Sequence, residues 1–167
     1  ATIPTVTSVT QTGGGALAGG ETTIRVNFTV TGTPDGGETL EVDITDATSI
    51  FDAAGNGAVA NQTSNNTSTL NDEALPVISS VSLDGSNGFI DVTFSEGVFN
   101  TNGGTGALET TDFDLSLTGG TATIPTVTSV TQTGGGALAG GETTIRVNFT
   151  VTGTPDGGET LEVDITD

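Results

Sequence analysis

Apolar and polar residues alternate along two stretches of the chain, TTIRVNFTV at 22–30 and ETLEVDIT at 38–45. A period of two places every second side chain on the same face of a β-strand. The TGTPDGG link between them offers Pro34, which fixes φ, followed by Asp35-Gly36, which suits a positive φ. The pattern therefore predicts two strands joined as a hairpin. The side chains expected to face inward are Ile24, Val26, Phe28, Val30, Leu40, Val42 and Ile44.

Shorter alternating runs predict further strands at 77–83, 89–94 and 112–117, with a weaker strand inside 57–70. Glycine-rich stretches such as TGGGALAGGE separate some of these runs. We interpret those stretches as long, low-complexity spacers.

Apolar residues are unevenly spaced in the segment 3–11, which contains Ile3, Val6 and Val9. Strict alternation is broken there, and a proline cannot donate a hydrogen bond to a neighbouring strand. The segment is therefore expected to be a strand with its inward side chains displaced by a bulge near Pro4.

The beginning of the chain recurs at its end, since Ala1–Asp46 is identical to Ala122–Asp167 at an offset of 121 residues. An exact duplication indicates a repeat array, and this repeat length suits one β-sandwich domain. We predict an all-β fold, an immunoglobulin-like β-sandwich of about seven strands in tandem repeats of 121 residues. With the boundary in the linker TLNDEALPVISSV, residues 1–71 are strands D–G, the C-terminal part of one repeat. Residues 72–167 are then strands A–F, the N-terminal part of the next repeat.

The composition narrows the functional classes. Hydrophobic residues make up 32% of the chain, and it has no Cys, Met, Trp, Tyr, His or Lys. The side chains that most often act as general bases, nucleophiles or imidazole metal ligands are therefore missing. We expect that the protein is not an enzyme.

The charge is strongly negative, at −19, with 21 acidic residues against two arginines. Such a surface repels phosphate groups, so nucleic acid is not an expected partner. No apolar run reaches membrane-spanning length, and we expect no membrane insertion by this segment. The charge is either simply solvated or partly neutralised by divalent cations.

Several segments together resemble bacterial Ig-like repeats: VISSVSLDGSNGFIDVTFSEGVF, DFDLSLTGGTAT, TPDGGETLEVDIT and SIFDAAGNGAVANQTSNNTSTLND. The most specific pieces are VTFSEGV at 92–98 and DAAGN at 52–56. Repeats of this family recur in tandem in giant cell-surface adhesins and extracellular filaments, including the mobile adhesins of gliding bacteria. The resemblance covers the whole 121-residue unit. It implies a secreted or cell-surface location, a structural or adhesive role, and calcium bound at the joints between domains.

Acidic residues in the predicted loops and linker suggest a Ca²⁺ site. If seven strands alternate up and down, the B–C, D–E and F–G loops lie at the end where strand A begins. The linker reaches the same end, and converging carboxylates would supply the oxygen ligands that Ca²⁺ prefers. The alternative is that each carboxylate is solvated independently. The candidate ligands are Asp46, Asp52, Asp72, Glu73, Glu96 and Asp112.

We therefore expect a structural repeat of an extracellular filament or adhesin stalk, with neighbouring identical repeats as partners and Ca²⁺ stiffening the joints. One alternative is a small subunit whose sandwich is completed by a strand from its neighbour, which would assemble a non-covalent filament. Another is a module that binds a carbohydrate or other partner on an unknown target surface. Such a module would need an exposed aromatic platform, and phenylalanine is the one aromatic residue type present.

Overall fold

The computed structural model describes residues 2–166, with the backbone alone for Thr2, Ile3 and Ile124. The expectation for the Ile3 side chain therefore lies outside the described residues. Ten strands and one 3-10 turn make up the regular structure of this range, which confirms the all-β prediction. The strands are β1 (Thr2–Thr10), β2 (Arg25–Thr31), β3 (Thr39–Glu41), β4 (Thr67–Thr69), β5 (Ile78–Leu83), β6 (Phe89–Val98), β7 (Phe113–Thr118), β8 (Thr123–Thr131), β9 (Glu142–Thr152) and β10 (Thr160–Ile165).

The chain divides into an N-terminal unit, Ala1–Leu75, and a C-terminal unit, Pro76–Asp167. The sequence-based boundary falls four residues earlier, before Asp72. The assignment of the two parts to successive repeats stays a prediction.

In the C-terminal unit, a four-stranded antiparallel sheet has the order β5-β6-β9-β8, and a second sheet pairs β10 with β7. Buried side chains alternate along β6 and β9, because one face of each strand is turned toward the core. Residues of β7 come from the other sheet into the same core, so both sheets share it. The cluster consists of Ile90, Val92, Phe94, Val98, Phe113, Leu115, Ile145, Val147 and Phe149.

The N-terminal unit has two small antiparallel sheets, β1-β2 and β3-β4. None of its described aliphatic or aromatic side chains belongs to the buried core. Ile24 is 43% exposed, and Val26 and Phe28 are half-buried. The predicted inward face of β2 is therefore only partly covered.

The bulge predicted near Pro4 is confirmed in both copies of the repeated sequence. The β1–β2 register shifts between Thr2 and Thr5, and the β8–β9 register shifts between Thr123 and Thr126. A second irregularity follows at Val6/Ser8 and its counterpart. Strands were also predicted close to the observed β4, β5, β6 and β7, although β6 continues four residues beyond its predicted end.

The predicted hairpin between 22–30 and 38–45 is wrong. β2 pairs with β1, whereas β3 pairs with β4, and the second copy likewise sends β9 and β10 to different sheets. The TGTPDGG link therefore connects two sheets. Its turn chemistry was correctly predicted, since Gly36 has φ +77° and Gly157 has φ +85°. Alternation identifies a strand but not its neighbour, which explains the error.

Candidate functional site

Two of the candidate calcium ligands, Asp46 and Asp52, are occupied by hydrogen bonds within their own loops. Asp46 Oδ1 accepts from the Thr48 backbone N–H at 2.7 Å and from the Thr48 and Ser49 hydroxyls. These donors, led by the Thr48 hydroxyl, lower the pKa of Asp46. The Asp46 carboxylate therefore stabilises a local turn.

Asp52 organises the DAAGN loop in the same way. Its Oδ1 accepts from the backbone N–H groups of Ala54 and Asn56, and its Oδ2 accepts from Asn56 Nδ2 at 2.8 Å. The Asn56 side chain contributes most to lowering the pKa of Asp52. This closed hydrogen-bonded turn gives DAAGN a structural role.

The linker residues Asp72 and Glu73 lie outside any strand and belong to the N-terminal unit. Asp72 Oδ1 accepts from the Ala74 backbone N–H at 2.9 Å, and the Glu73 N–H donates to the Pro34 carbonyl at 2.9 Å. Pro34 is buried, whereas its copy Pro155 is exposed. The linker therefore runs along the end of the β2–β3 connection and covers it.

The remaining candidates, Glu96 and Asp112, are in the C-terminal unit. Glu96 lies within β6, not in the loop to which it was assigned, because β6 runs on to Val98. Asp112 Oδ2 accepts from the Glu109 backbone N–H at 2.7 Å and from Asn100 Nδ2 at 3.2 Å. It thereby closes the 3-10 turn that leads into β7.

Within residues 2–166, no three acidic side chains are grouped so that they could hold a metal ion. The six candidates are divided between the two units, and most of their described contacts are with nearby donors. Calcium binding stays a prediction.

A different role for acidic residues was missed from the sequence. Glu21 Oε1 accepts from the Ala18 N–H at 2.7 Å, and its Oε2 accepts from the Gly19 N–H at 2.9 Å. These bonds, with the Ala18 N–H foremost, lower its pKa. Glu142 makes the same bonds to Ala139 and Gly140 in the second copy. The glycine-rich stretch is therefore a defined loop closed by its own glutamate, which corrects its interpretation as a spacer.

Glu159 holds together the ends of two strands in the C-terminal unit. Its carboxylate accepts from the backbone N–H groups of Ala122, Asp156 and Thr121 at 3.0 to 3.2 Å. These donors, led by Ala122, lower its pKa to about 2. Glu159 is the copy of Glu38, the first residue of the strand predicted at 38–45, but the sequence gave no means of finding its distant partners.

One ion pair links β6 to β9. Arg146 Nε donates to Asp91 Oδ1 at 2.8 Å, and its NH2 group donates to Asp91 Oδ2 at 3.0 Å. Its guanidinium also lies 3.7 Å from the centre of the Phe89 ring. The identical residue in the first copy, Arg25, is exposed and has no carboxylate partner among the described residues.

The contrast between Arg146 and Arg25 identifies an incomplete sheet edge. In the C-terminal unit, β9 lies between β6 and β8. In the N-terminal unit, β2 has β1 as its single sheet neighbour within the described chain. We use the name open edge for the side turned away from β1 along residues 21–28, which are the four residues before β2 and the first four residues of β2.

No family model matches the chain, and neither a curated protein nor a solved structure matches it. Within residues 2–166 there is no helix of the length and apolar character needed to span a membrane. The resemblance to bacterial Ig-like repeats therefore stays a prediction based on the quoted segments.

Proposed function

We propose that the chain is part of a structural repeat of an extracellular filament or adhesin stalk, in which Ig-like β-sandwich domains follow one another along the polypeptide. The observation that supports this proposal is that the strand pairings of the two units can be combined into one seven-stranded repeat. Where the two copies contain the same strand, one copy has a strand neighbour on an edge that has none in the other copy within the described chain.

The four-stranded sheet β5-β6-β9-β8 provides the first layer of this repeat. Numbered from the linker, these strands are A, B, E and D, which is the order A-B-E-D of one sheet in an Ig constant-type sandwich. The other sheet of that sandwich has the order C-F-G. In our numbering, β7 is C, β10 and its copy β3 are F, and β4 is G.

The hydrogen bonds of the two copies allow strand F to be central. In the first copy, the Leu70 N–H donates to the Glu38 carbonyl and the Val42 N–H donates to the Asn66 backbone carbonyl. Both bonds are on the β4 side of the strand. In the second copy, the Thr166 N–H donates to the Asp112 backbone carbonyl on the β7 side, and Thr166 corresponds to Thr45. Val42 and Thr45 are an odd number of residues apart, so their backbone groups point to opposite edges of the strand. A strand F can therefore pair with C and G at once.

The mechanical role follows from this arrangement and from the charge. A closed sandwich has its own core, so copies in series form an extended array. Residues 1–121 contain fifteen acidic residues and one arginine, which gives −14 per repeat. Like charges on successive repeats would keep such an array extended.

The proposal is tested by immunogold labelling of intact cells and of thin sections of fixed cells with antibodies raised against the 167-residue protein. We expect labelled filaments or stalks projecting from the cell surface. Label confined to the cell interior would exclude the proposal. Denaturing gel electrophoresis of the labelled material distinguishes a covalent array, which would migrate as one very large band, from a separate subunit near 16.5 kDa.

Calcium at the joints is a separate part of the proposal, supported by the acidic linker and the high charge. A cation that binds only the folded array stabilises it by mass action. We expect the melting temperature of a multi-repeat chain to rise in Ca²⁺ and fall in EDTA, with Mg²⁺ as the control cation. Identical calorimetric traces with and without Ca²⁺ would remove calcium from the proposal and leave the strand arrangement unaffected.

A further inference from the structure

The second copy shows which strand pairs with residues identical to those of the open edge. In the C-terminal unit, residues 142–148 pair with β6 from Glu142↔Val98 to Asn148↔Phe89, and the Phe149 N–H donates to the Gly88 carbonyl. The same eight residues form the open edge at 21–28, where no such strand is paired in the described chain. The register of the missing partner can thus be read from the second copy.

We propose that the open edge is a docking site for a segment with the sequence of residues 76–121, supplied by the N-terminal part of the same repeat on the same polypeptide. This inference rests on the tandem arrangement proposed above. The incoming segment would add a β6-type strand to β2, and a β7-type strand to the side of β3 opposite β4.

The first copy exposes apolar side chains that a segment of this sequence would cover. Ile145 and Val147 are 0% exposed where β6 and β7 cover them, whereas Ile24 is 43% exposed and Val26 is half-buried. Docking of the same segment would remove the same side chains from water, and burial of apolar area is the main favourable contribution to such an association.

A hollow in the N-terminal unit also matches the proposed occupant. Phe28, Val30 and Leu70 line a space of about 350 Å³. In the C-terminal unit, the counterparts Phe149 and Val151 line a hollow together with Leu83 and Leu117. Leu83 and Leu117 belong to 76–121, so the proposed segment brings apolar side chains to this part of the first copy.

Polar chemistry gives the docking its register. Arg25 is the copy of Arg146. The Arg146 guanidinium donates two hydrogen bonds to Asp91 and lies over the Phe89 ring. The β6-type strand would bring both partners to Arg25. A guanidinium that binds both oxygens of a carboxylate has strict geometric requirements, so a strand shifted by one residue would lose this contact.

The covalent connection is also present in the chain. Thr121 precedes Ala122 in the sequence, and Ala1 is the copy of Ala122. Ala122 is 6% exposed, so the junction is closely packed where it occurs. A copy of 76–121 placed before Ala1 would therefore reproduce a natural junction.

The test uses a chain lengthened by a copy of residues 76–121 before Ala1, compared with the 167-residue protein by amide hydrogen exchange. We expect the hydrogen-bonded amides among residues 23–28 to become protected by about 100-fold or more, since they would open only with the completed unit. The protection of residues 144–149 serves as the internal standard and should not change. Unchanged exchange at 23–28, or an added segment that stays unfolded, would overturn the proposal.

A matched variant distinguishes docking on the open edge from nonspecific collapse. Ile24→Asp in the lengthened chain places a charge where Ile145 is fully buried in the second copy. We expect it to abolish the gain in protection and leave residues 144–149 unchanged. Protection that persists in Ile24→Asp would exclude this edge as the docking site.

A separate peptide of residues 76–121 tests the source of the segment. If the free peptide protects residues 23–28 of the 167-residue protein but the lengthened chain does not, supply of the segment from the same repeat of the same polypeptide is wrong. The exchange experiments can fail or succeed independently of the immunogold test, because the completion of the sheet does not require an extracellular location.

Discussion

The two copies of the duplicated 46-residue segment have one sequence in two different surroundings. Both adopt the same strand register, including the two irregularities, and both close their glycine-rich loop with a glutamate. They differ in the length and burial of their strands. β2 has seven residues and β9 has eleven, while β3 has three and β10 has six.

The difference shows what a neighbouring strand adds. The additional residues of β9 precede Arg146 and lie opposite β6, and β10 is paired along its full length with β7. Where segment 76–121 is present, the strands of the duplicated sequence are therefore longer, and their partly covered apolar face becomes part of a core. Three pairs of substitutions matched between the copies test this conclusion, and a fourth pair tests a contact within the second copy.

The largest expected effect comes from Ile145→Ala. Ile145 is fully buried between the sheets, and an alanine there leaves a cavity as well as losing apolar contacts. We expect the C-terminal unit to lose about 3 to 4 kcal/mol of unfolding free energy. Ile24→Ala, at the same place in the first copy, should cost the N-terminal unit less than about 1 kcal/mol. Denaturant titration followed by residue-specific NMR signals measures each unit separately, and equal losses would contradict the comparison.

The next effect concerns a close backbone approach. Gly19 and Gly140 both have φ +94°, so alanine is strained at either position. A Cβ on Gly19 would meet nothing within 4 Å, but a Cβ on Gly140 would lie 2.5 Å from the Gly106 carbonyl oxygen. We expect Gly19→Ala to cost about 1 kcal/mol and Gly140→Ala about 1 to 3 kcal/mol more. Thermal unfolding of the two variants, followed by the signals of each unit, checks the difference.

A smaller effect is expected from the ion pair. Arg146→Lys keeps the charge but loses the two-pronged contact with Asp91 and the contact of the guanidinium plane with Phe89. We expect faster hydrogen exchange where β6 pairs with β9. Arg25→Lys should leave the exchange of the N-terminal unit unchanged, since Arg25 is exposed. An equal response in both copies would show that the pairing with β6 is not the cause.

The smallest effect is a pH dependence at the end of β10. The folded pKa of Glu159 is lowered to about 2, chiefly because the Ala122 N–H donates to the carboxylate, whereas an unfolded glutamate has a pKa of about 4.3. Its stabilising contribution is therefore fully present above the unfolded pKa and is lost as the pH falls toward 2. We expect Glu159→Gln to reduce the acid sensitivity of the C-terminal unit between about pH 4.5 and 2. Glu162→Gln, on an exposed position of β10, is the control, and melting temperatures measured across this range give the comparison.

The sequence correctly placed some of the candidate acidic residues in loops, but it did not show which hydrogen bonds their carboxylates accept. Asp46 and Asp52 were recognised as loop acids, and they lie in loops, where they bind local donors. Glu96 was assigned to a loop because the alternation of β6 ends at Phe94, yet pairing with β9 resumes at Val98 after a register shift. The role of Glu142 escaped notice since a carboxylate that binds the N–H groups of its own loop leaves no periodic signal.

The amino-acid sequence by itself determined the strands, the bulge near Pro4, the turn at Gly36 and the loop closed by Glu21. These features depend on interactions between residues near one another in the chain, and for that reason they recur in both copies, although the strands differ in length. Which strands become neighbours, and which apolar faces become core, was decided by tertiary structure alone. An alternating strand has two edges and one apolar face available to any matching partner, so Ile24 and Ile145 differ in burial because only one of them lies beside segment 76–121.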